Sequence, residues 1–522
     1  MPRSRSIAAS LLLLVTACAD TSAPATTSTT TVPTMTTVAP TTNTSTPPAT
    51  TTTTVPGPLV LPEPFDPFGA TIPELQAAMA ESRLTSVSLV RFYLTRIADL
   101  DDALHAMLYV NPNAIVEAAL LDRERRAGEV RGPLHGIPIV LKDNIGTADM
   151  PTTGGSLALA GFIPRADATQ VARLRAAGAI ILGKTNLHEF ARDITTVSSL
   201  GGQTRNPYDT DRYPGGSSGG TGAALAAEFA SAGLGTDTCG SIRIPAAYNH
   251  LYGLRPTIGL TPVDGVIPLT YTEDTVGPMA RSVIDLAIVL DATSDGGTRY
   301  ASAATGGSLD GLRIGVLDVL FAGADPAVNA AVRGALELLA ANGAEVIPAP
   351  IPGFDQLRGS AASVFLREWR LAFDEYLAAQ PDAPVNSLAA IVASGKFHPS
   401  LTEQLARALT ASIDTAEYRD AITRRDIVRD AIEAYLVDND LDALAYPTMT
   451  QPPARIGEVQ RGSNCGTASV GGLPALVVPA GFTPDGLPVG LELMGASLTE
   501  ETLIGIAAAY ERVAPERVPP GL

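Results

Sequence analysis

Cysteine is nearly absent from this chain: three in 522 residues, at positions 18, 239 and 465. That is too few for a disulfide scaffold. Histidine is also scarce, with five, and no His, Cys, Asp and Glu spacing suggests a metal site; no H-E-x-x-H occurs. Basic residues are in deficit, 36 Lys and Arg against 54 Asp and Glu, for a formal charge of −18. That balance argues against a nucleic-acid surface, which needs clustered Lys and Arg. No stretch repeats another. What the chain has is length and apolar content, 45% hydrophobic, enough to bury a large core.

The N-terminus reads as an export signal over residues 1–17. Arg3 and Arg5 supply a positive start, and Ile7 to Val15 supply an apolar run. That run is shorter than the roughly 20 apolar residues needed to span a bilayer. Leu14-Val15-Thr16-Ala17-Cys18 resembles a bacterial lipobox, which implies cleavage before Cys18 and lipidation there. The expected location is outside the cytoplasm, with the membrane contacted only through the anchor on Cys18. Cleavage removes two arginines and no acid, so the mature chain is more acidic still. Residues 18–60 are mostly Thr, Pro, Ser and Ala. Such a composition cannot offset the entropy of ordering, so a disordered tether with a reach on the order of 100 Å is expected.

The globular part, residues 61–522, opens with a capping-box start at Thr71-Ile72-Pro73-Glu74. A second helix follows, with Leu89, Phe92, Tyr93, Ile97 and Leu100 on one face. Gly136 to Asn144 (GIPIVLKDN) reads as a buried strand ending in a lysine. Burial disfavours the ammonium form and lowers a lysine pKa, which makes Lys142 a candidate base. A turn-rich stretch is expected up to Pro278, then a helix capped by Ser282. Residues 295–440 read as a helical layer suited to substrate selection, containing one short strand at Leu312 to Leu317. Leu473 to Ala480 and Leu487 to Met494 read as a hairpin across Thr483-Pro484-Asp485-Gly486.

Two local patterns mimic other chemistries. Gly178 to Thr185 (GAIILGKT) matches the phosphate-loop pattern, but its centre, Ala-Ile-Ile-Leu, is strand-like rather than a glycine-rich turn with free N–H groups. Gly215-Gly216-Ser217-Ser218-Gly219 matches the nucleophile elbow of Ser-His-Asp hydrolases. An elbow needs a buried strand before it, and Arg205 to Pro214 is polar with two prolines. It also needs a later histidine; His250 and His398 are the candidates and neither has a persuasive setting.

The stretch Tyr213 to Pro245 holds two glycine-bracketed serine sites, one around Ser217 and Ser218 and one at Cys239-Gly240-Ser241. Glycine lets backbone come close to a ligand, and serine hydroxyls beside bare N–H groups are what acyl transfer needs. A serine requires a base, and Lys142 is the best supported. A free lysine is neutral in only about one molecule in 10³ at pH 7, so the fold must lower its pKa.

From about Thr71 to the end, the motifs GIPIVLKDN, RNPYDTDRYPGGSSGG, GTDTCGSIRIPAA, GLRPT, DTVGPMARSV and GGLPALVVPAGFTPDGLPVG resemble those of the amidase signature hydrolases, in the family's order. The resemblance implies an α/β fold with a mixed, twisted β-sheet covered by helices on both faces, and no cofactor. It implies Ser241 as nucleophile, Lys142 as base and Ser217 as the bridging serine after a cis peptide bond from Gly216. Thr238, Cys239, Gly240 and Ser241 map to oxyanion-hole N–H groups, with Gly216 in the substrate-binding set and Ser218 in a supporting role. The segment Thr152 to Ser156 is placed near the pocket by the same likeness. Where the family usually has glycine this chain has Cys239, and with Cys18 lipidated a Cys239–Cys465 disulfide is expected.

The reading is therefore an exported amidohydrolase acting on a small-molecule or peptide amide. Two others compete. The same family includes one component of a tRNA amidotransferase; the charge and the export signal speak against that reading. A lipidated solute-binding protein would hold amides without needing Lys142, Ser217 and Ser241 together.

Overall fold

A computed structural model describes residues 65–360 and 364–522. The export signal, Cys18 and the tether lie outside the described residues. Thr71 and Glu74 form the expected capping box at the head of the helix Ile72–Ala80. In the next helix, Ser86–Leu104, Leu89, Tyr93 and Ile97 are buried, whereas Phe92 and Leu100 sit half-buried at the edge of the stripe.

Thirteen strands occur among the described residues: β1 Met107–Val110, β2 Pro138–Lys142, β3 Ile180–Thr185, β4 Val197–Ser198, β5 Gly202–Gln203, β6 Ala232–Asp237, β7 Tyr252–Arg255, β8 Thr275–Ala280, β9 Arg313–Val316, β10 Glu345–Pro348, β11 Ala443–Pro447, β12 Ala475–Phe482 and β13 Pro488–Met494. Eleven of them form one sheet in the order β1-β3-β2-β6-β8-β7-β12-β13-β11-β9-β10, while β4 and β5 pair separately. The sheet is mixed. β2 runs parallel to β3 and β6, β9 runs parallel to β10 and β11, and β12 and β13 form the expected antiparallel hairpin. Every residue of β2, β3, β6, β8, β11 and β13 is buried. Strands buried on both sides read as apolar runs and need helices over each face.

Two expectations are corrected. The stretch before Pro278 does not stay irregular: Thr275–Ala280 is β8, a central strand paired with β6 along its length. Pro278 and Gly277 hide a strand signal in the sequence, but Pro278 lies beyond the short β7 ladder, which joins β8 only at Met279 and Ala280. The second correction concerns residues 295–440. Their first part is no separate layer. β9, the helix Pro326–Ala341 and β10 form a parallel crossover unit that extends the main sheet through β11. The helical layer proper begins at Phe365. There Trp369, Phe373, Leu388 and Leu405 share a second apolar cluster with Phe190, Ile267 and Leu269.

Candidate active site

Lys142 is the last residue of β2, and its neighbour β6 carries Thr236 alongside it. Lys142 Nζ lies 2.7 Å from Ser217 Oγ, 2.7 Å from Thr236 Oγ1 and 3.3 Å from the Thr236 carbonyl. The lysine is 0% exposed. Burial lowers its pKa to about 7, against the opposing pull of the Asp237 and Asp274 carboxylates. A neutral amine has two N–H donors and one lone pair. Thr236 can take the donors, and the lone pair then faces the Ser217 hydroxyl.

Ser217 is placed by a close-packed turn. The Gly216–Ser217 peptide is cis. A Cβ on Gly216 would lie 2.6 Å from the Ile194 carbonyl carbon, so only glycine fits. The Ser217 carbonyl accepts the His188 N–H at 2.9 Å. Ser218 precedes the buried helix Gly219–Ala226; its N–H donates to the Ser241 carbonyl at 3.1 Å and its hydroxyl to the Thr236 carbonyl at 3.2 Å. One residue thus ties both serine loops to β6, whose Thr236 contacts the lysine.

Ser241 lies in the loop after β6 and is 5% exposed. Its Oγ makes no hydrogen bond among the described residues. The N–H groups of Thr238, Cys239 and Ser241 are likewise unpartnered among the described residues. Gly240 departs from the expectation. Its N–H donates to Asp237 Oδ1 at 2.8 Å and turns away from the serine, because Asp237 also draws the Ile242 N–H inward at 3.1 Å. Of the four N–H groups expected in the oxyanion set, three are therefore unpartnered among the described residues.

Beneath this loop runs a buried ionic network. Asp237 accepts from Arg243 Nε at 3.1 Å and Arg255 Nη1 at 3.0 Å. Arg243 continues to Glu492, which also takes the Tyr446 hydroxyl at 2.7 Å. Burial alone would raise the Asp237 pKa, but Arg243 and Arg255 more than offset it and hold the carboxyl well below its usual range.

Cys239 and Cys465 form a disulfide, with Cα atoms 5.1 Å apart. Gly240, at φ +82°, lies so close that a Cβ there would be 2.8 Å from Cys465 Cβ. Arg243 Nη2 donates to the Cys465 carbonyl at 3.1 Å. The bridge closes a separation of 226 residues. A paired Cys239→Ser and Cys465→Ser replacement is expected to cost about 2–5 kcal/mol of stability and to lower turnover by freeing the loop. Urea unfolding beside steady-state kinetics checks both effects, and an unchanged unfolding midpoint would rule out a stabilising bridge.

Several residues here were not singled out by sequence reasoning. Thr236, Asn144, Asp237 and Asp274 have no recognisable pattern of their own, although each stands inside a family motif: Asn144 ends GIPIVLKDN, Thr236 and Asp237 lie in GTDTCGSIRIPAA, and Asp274 opens DTVGPMARSV. His188 carries no signal either, because only histidines after Ser217 suit an elbow hydrolase. Its Nδ1 lies 3.2 Å from Thr195 Oγ1, and its Nε2 is buried without a partner. Burial lowers its pKa to about 4. The two histidines that follow Ser217 are engaged elsewhere. His250 stacks on Phe482 at 4.6 Å, and His398 Nδ1 pairs with the Ser400 hydroxyl at 2.8 Å. The lysine of the phosphate-loop mimic is also engaged: Lys184, in β3, lies 3.3 Å from Asp143 and 2.7 Å from Thr152 Oγ1. The segment Thr152 to Ser156 is held by the residue after the candidate base, since the Thr153 N–H donates to Asp143 at 3.0 Å. Among the described residues, no group of three or more His, Cys, Asp and Glu could hold a metal ion.

A mixed sheet, a lysine–serine contact at one strand end and a second serine beside free N–H groups define an amide-cleaving class of enzyme. The Amidase family profile matches residues 88–504, and the chain belongs to that family. It is 37% identical over 477 residues to a glutamyl-tRNA(Gln) amidotransferase subunit from Chloroflexus aggregans, covering 85% of this chain and 96% of that protein. Its fold matches the native peptide amidase of Stenotrophomonas maltophilia at a TM-score of 0.80 and 40% identity, over 88% of this chain and 99% of the other. The corresponding amidotransferase subunit from Thermotoga maritima matches at a TM-score of 0.67 and 26% identity, over 87% and 96%.

Proposed function

We propose that this chain is an exported, lipid-anchored amidohydrolase that cleaves a carboxamide through an acyl-enzyme on Ser241. The observation that carries the reading is the 2.7 Å contact between Ser217 and a buried Lys142 whose pKa falls to about 7. Neutral Lys142 takes the Ser217 proton while Ser217 takes that of Ser241. Ser241 Oγ then forms a bond to the amide carbon. The developing oxyanion is received by the N–H groups of Thr238, Cys239 and Ser241, where preorganised donors act strongly because water is excluded. The proton returns through Ser217 to the leaving nitrogen, the C–N bond breaks and ammonia or an amine departs. Water then attacks the acyl-enzyme by the same relay in reverse, releasing the carboxylic acid and restoring Ser241. Peptide carboxamides are the first substrates to try, given the 40% identity to a peptide amidase.

The test is fluorophosphonate labelling of purified protein with peptide mapping, together with ammonia release from amides. Label at Ser241, absent in S241A, and turnover lost with it, are the expected results. Labelling at Ser217 instead would overturn the assignment, and amide binding without label or turnover would point to a solute-binding protein.

A second reading is favoured by one observation, the 37% identity to amidotransferase subunits over most of both chains. Such a protein would release ammonia from glutamine for a partner enzyme. The net charge of −18 and the lipobox-like start weigh against it. Glutamine as the sole amide hydrolysed would favour it. Metabolic labelling with a fatty acid, compared with Cys18→Ala, tests the anchor.

A further inference from the structure

Besides the Ser218 N–H on the Ser241 carbonyl, the Ile244 N–H on the Gly240 carbonyl and Arg255 on the Thr238 carbonyl, three attachments hold the oxyanion loop. Two are the Cys239–Cys465 disulfide and the Asp237 carboxylate under Gly240 and Ile242. The third is at Thr238, whose hydroxyl donates to Asp274 Oδ1 at 2.5 Å. Asp274 lies just before β8, and the same carboxylate draws a short loop into a knot. Its Oδ2 accepts the Leu269 N–H at 2.7 Å and the Thr270 N–H at 3.0 Å, and its Oδ1 accepts the Thr270 hydroxyl at 3.3 Å. The far side of the knot is gripped by the helical layer. Buried Glu368 accepts the Tyr271 N–H at 2.8 Å, the Thr272 hydroxyl at 3.0 Å and the Tyr418 hydroxyl at 2.7 Å. Glu273 pairs with Arg425 from the same layer. Asp274 therefore stands between the helices over the site and the first free N–H of the oxyanion loop.

We propose that Asp274 is a positioning residue for amide cleavage: through the Thr238 hydroxyl it aims the oxyanion loop. The proposal rests on the reading of Ser241 as nucleophile and Lys142 as base. Backbone donors stabilise an oxyanion only when they are already aimed at it. A Thr238 peptide free to turn would spend its N–H on water. The charged and titratable groups whose fields reach Lys142 are Asp237 at the end of β6, Asp274 from the loop before β8, and His188 after β3. His188 stays neutral, so Asp237 and Asp274 are the charges that favour the ammonium. Removing one of them favours the neutral, active base.

The experiment compares full-length wild type with D274N, T238V and the double variant on a primary amide, over a range of pH. Asparagine matches aspartate in shape and keeps one oxygen for the Leu269 and Thr270 N–H groups, so a folded variant is expected, while the Thr238 hydroxyl meets an amide NH2 in place of its carboxylate acceptor. D274N should lose about 10- to 100-fold in kcat with little change in KM. The acid limb of its kcat/KM profile should move to lower pH, the direction a merely structural loosening would not produce. T238V should lose a comparable kcat with the acid limb unmoved. The double variant should be no slower than the slower single, because both break one link. Fluorophosphonate labelling separates the two claims. Wild type unlabelled at Ser241 would sink the nucleophile reading and this proposal with it. Wild type labelled, with D274N keeping both its kcat and its acid limb or with additive losses in the double variant, would overturn the role of Asp274 alone.

Discussion

Replacing Lys142 with methionine is expected to remove amide turnover, by about 10³–10⁴-fold, and at the same time to stabilise the protein at neutral pH. Both follow from one buried amine. In the folded state its pKa is about 7, below the ordinary 10.5. Between those values the unfolded chain binds a proton that the folded chain lacks, so stability rises with pH across that window. At pH 7 and below, the folded protein bears a cost of about 5 kcal/mol for this residue. Methionine fills similar space without the cost. It leaves Ser217 and Thr236 short of a partner, at about 1–3 kcal/mol, so a net gain of a few kcal/mol remains at pH 7. The gain should shrink toward pH 10 and then reverse. Urea unfolding of both proteins at pH 6, 8 and 10 measures this, and a variant less stable by the same amount at every pH would refute it. In the wild type, the acid limb of kcat/KM should fall near pH 7, where Lys142 gains its proton.

The second large effect is at Asp237. Replacing it with alanine strands Arg243 and Arg255, both fully buried, without their shared carboxylate. Breaking a buried ion pair in this way costs about 3–5 kcal/mol. The Gly240 and Ile242 N–H groups lose their acceptor as well, so the oxyanion loop should loosen and kcat should fall by about 10²–10³-fold. The folded pKa of Asp237 lies below its unfolded value near 3.8. Its contribution is therefore complete above pH 4 and is lost only as pH falls through the lower folded value. The stability difference between wild type and variant should be constant from pH 5 to 8 and narrow in stronger acid. A difference under about 1 kcal/mol at pH 7 would show that the arginines find other partners.

Lys142 was legible because a lysine after Ile139-Val140-Leu141 at a strand end is anomalous, and the serines because glycine clusters bracket them. The capping box at Thr71 and the hairpin at Thr483 to Gly486 were legible for the same kind of reason: their physics is local, written in neighbouring residues. β8 was hidden because its suitability for a central strand depends on which neighbour stops short of Pro278. The division between the β9–β10 crossover and the helices from Phe365 onward was hidden because a parallel crossover and a helical insertion look alike until their strands find partners.

Composition and local pattern were enough to establish an acidic chain with a large core, serine and lysine chemistry, and a family likeness spanning nearly all of residues 61–522. They could not say which N–H groups stay free. Gly240 looks the same in sequence as its neighbours, and only the approach of Asp237, clamped by Arg243 and Arg255 from other elements, turns its N–H inward. Nor could they say that Asp274 meets Thr238 or that Thr236 shares the lysine with Ser217, although the scarcity of thiols did point to the Cys239–Cys465 pair. Those contacts join residues distant in the chain, and the burial that sets the charge on Lys142 exists only once the sheet has closed around it.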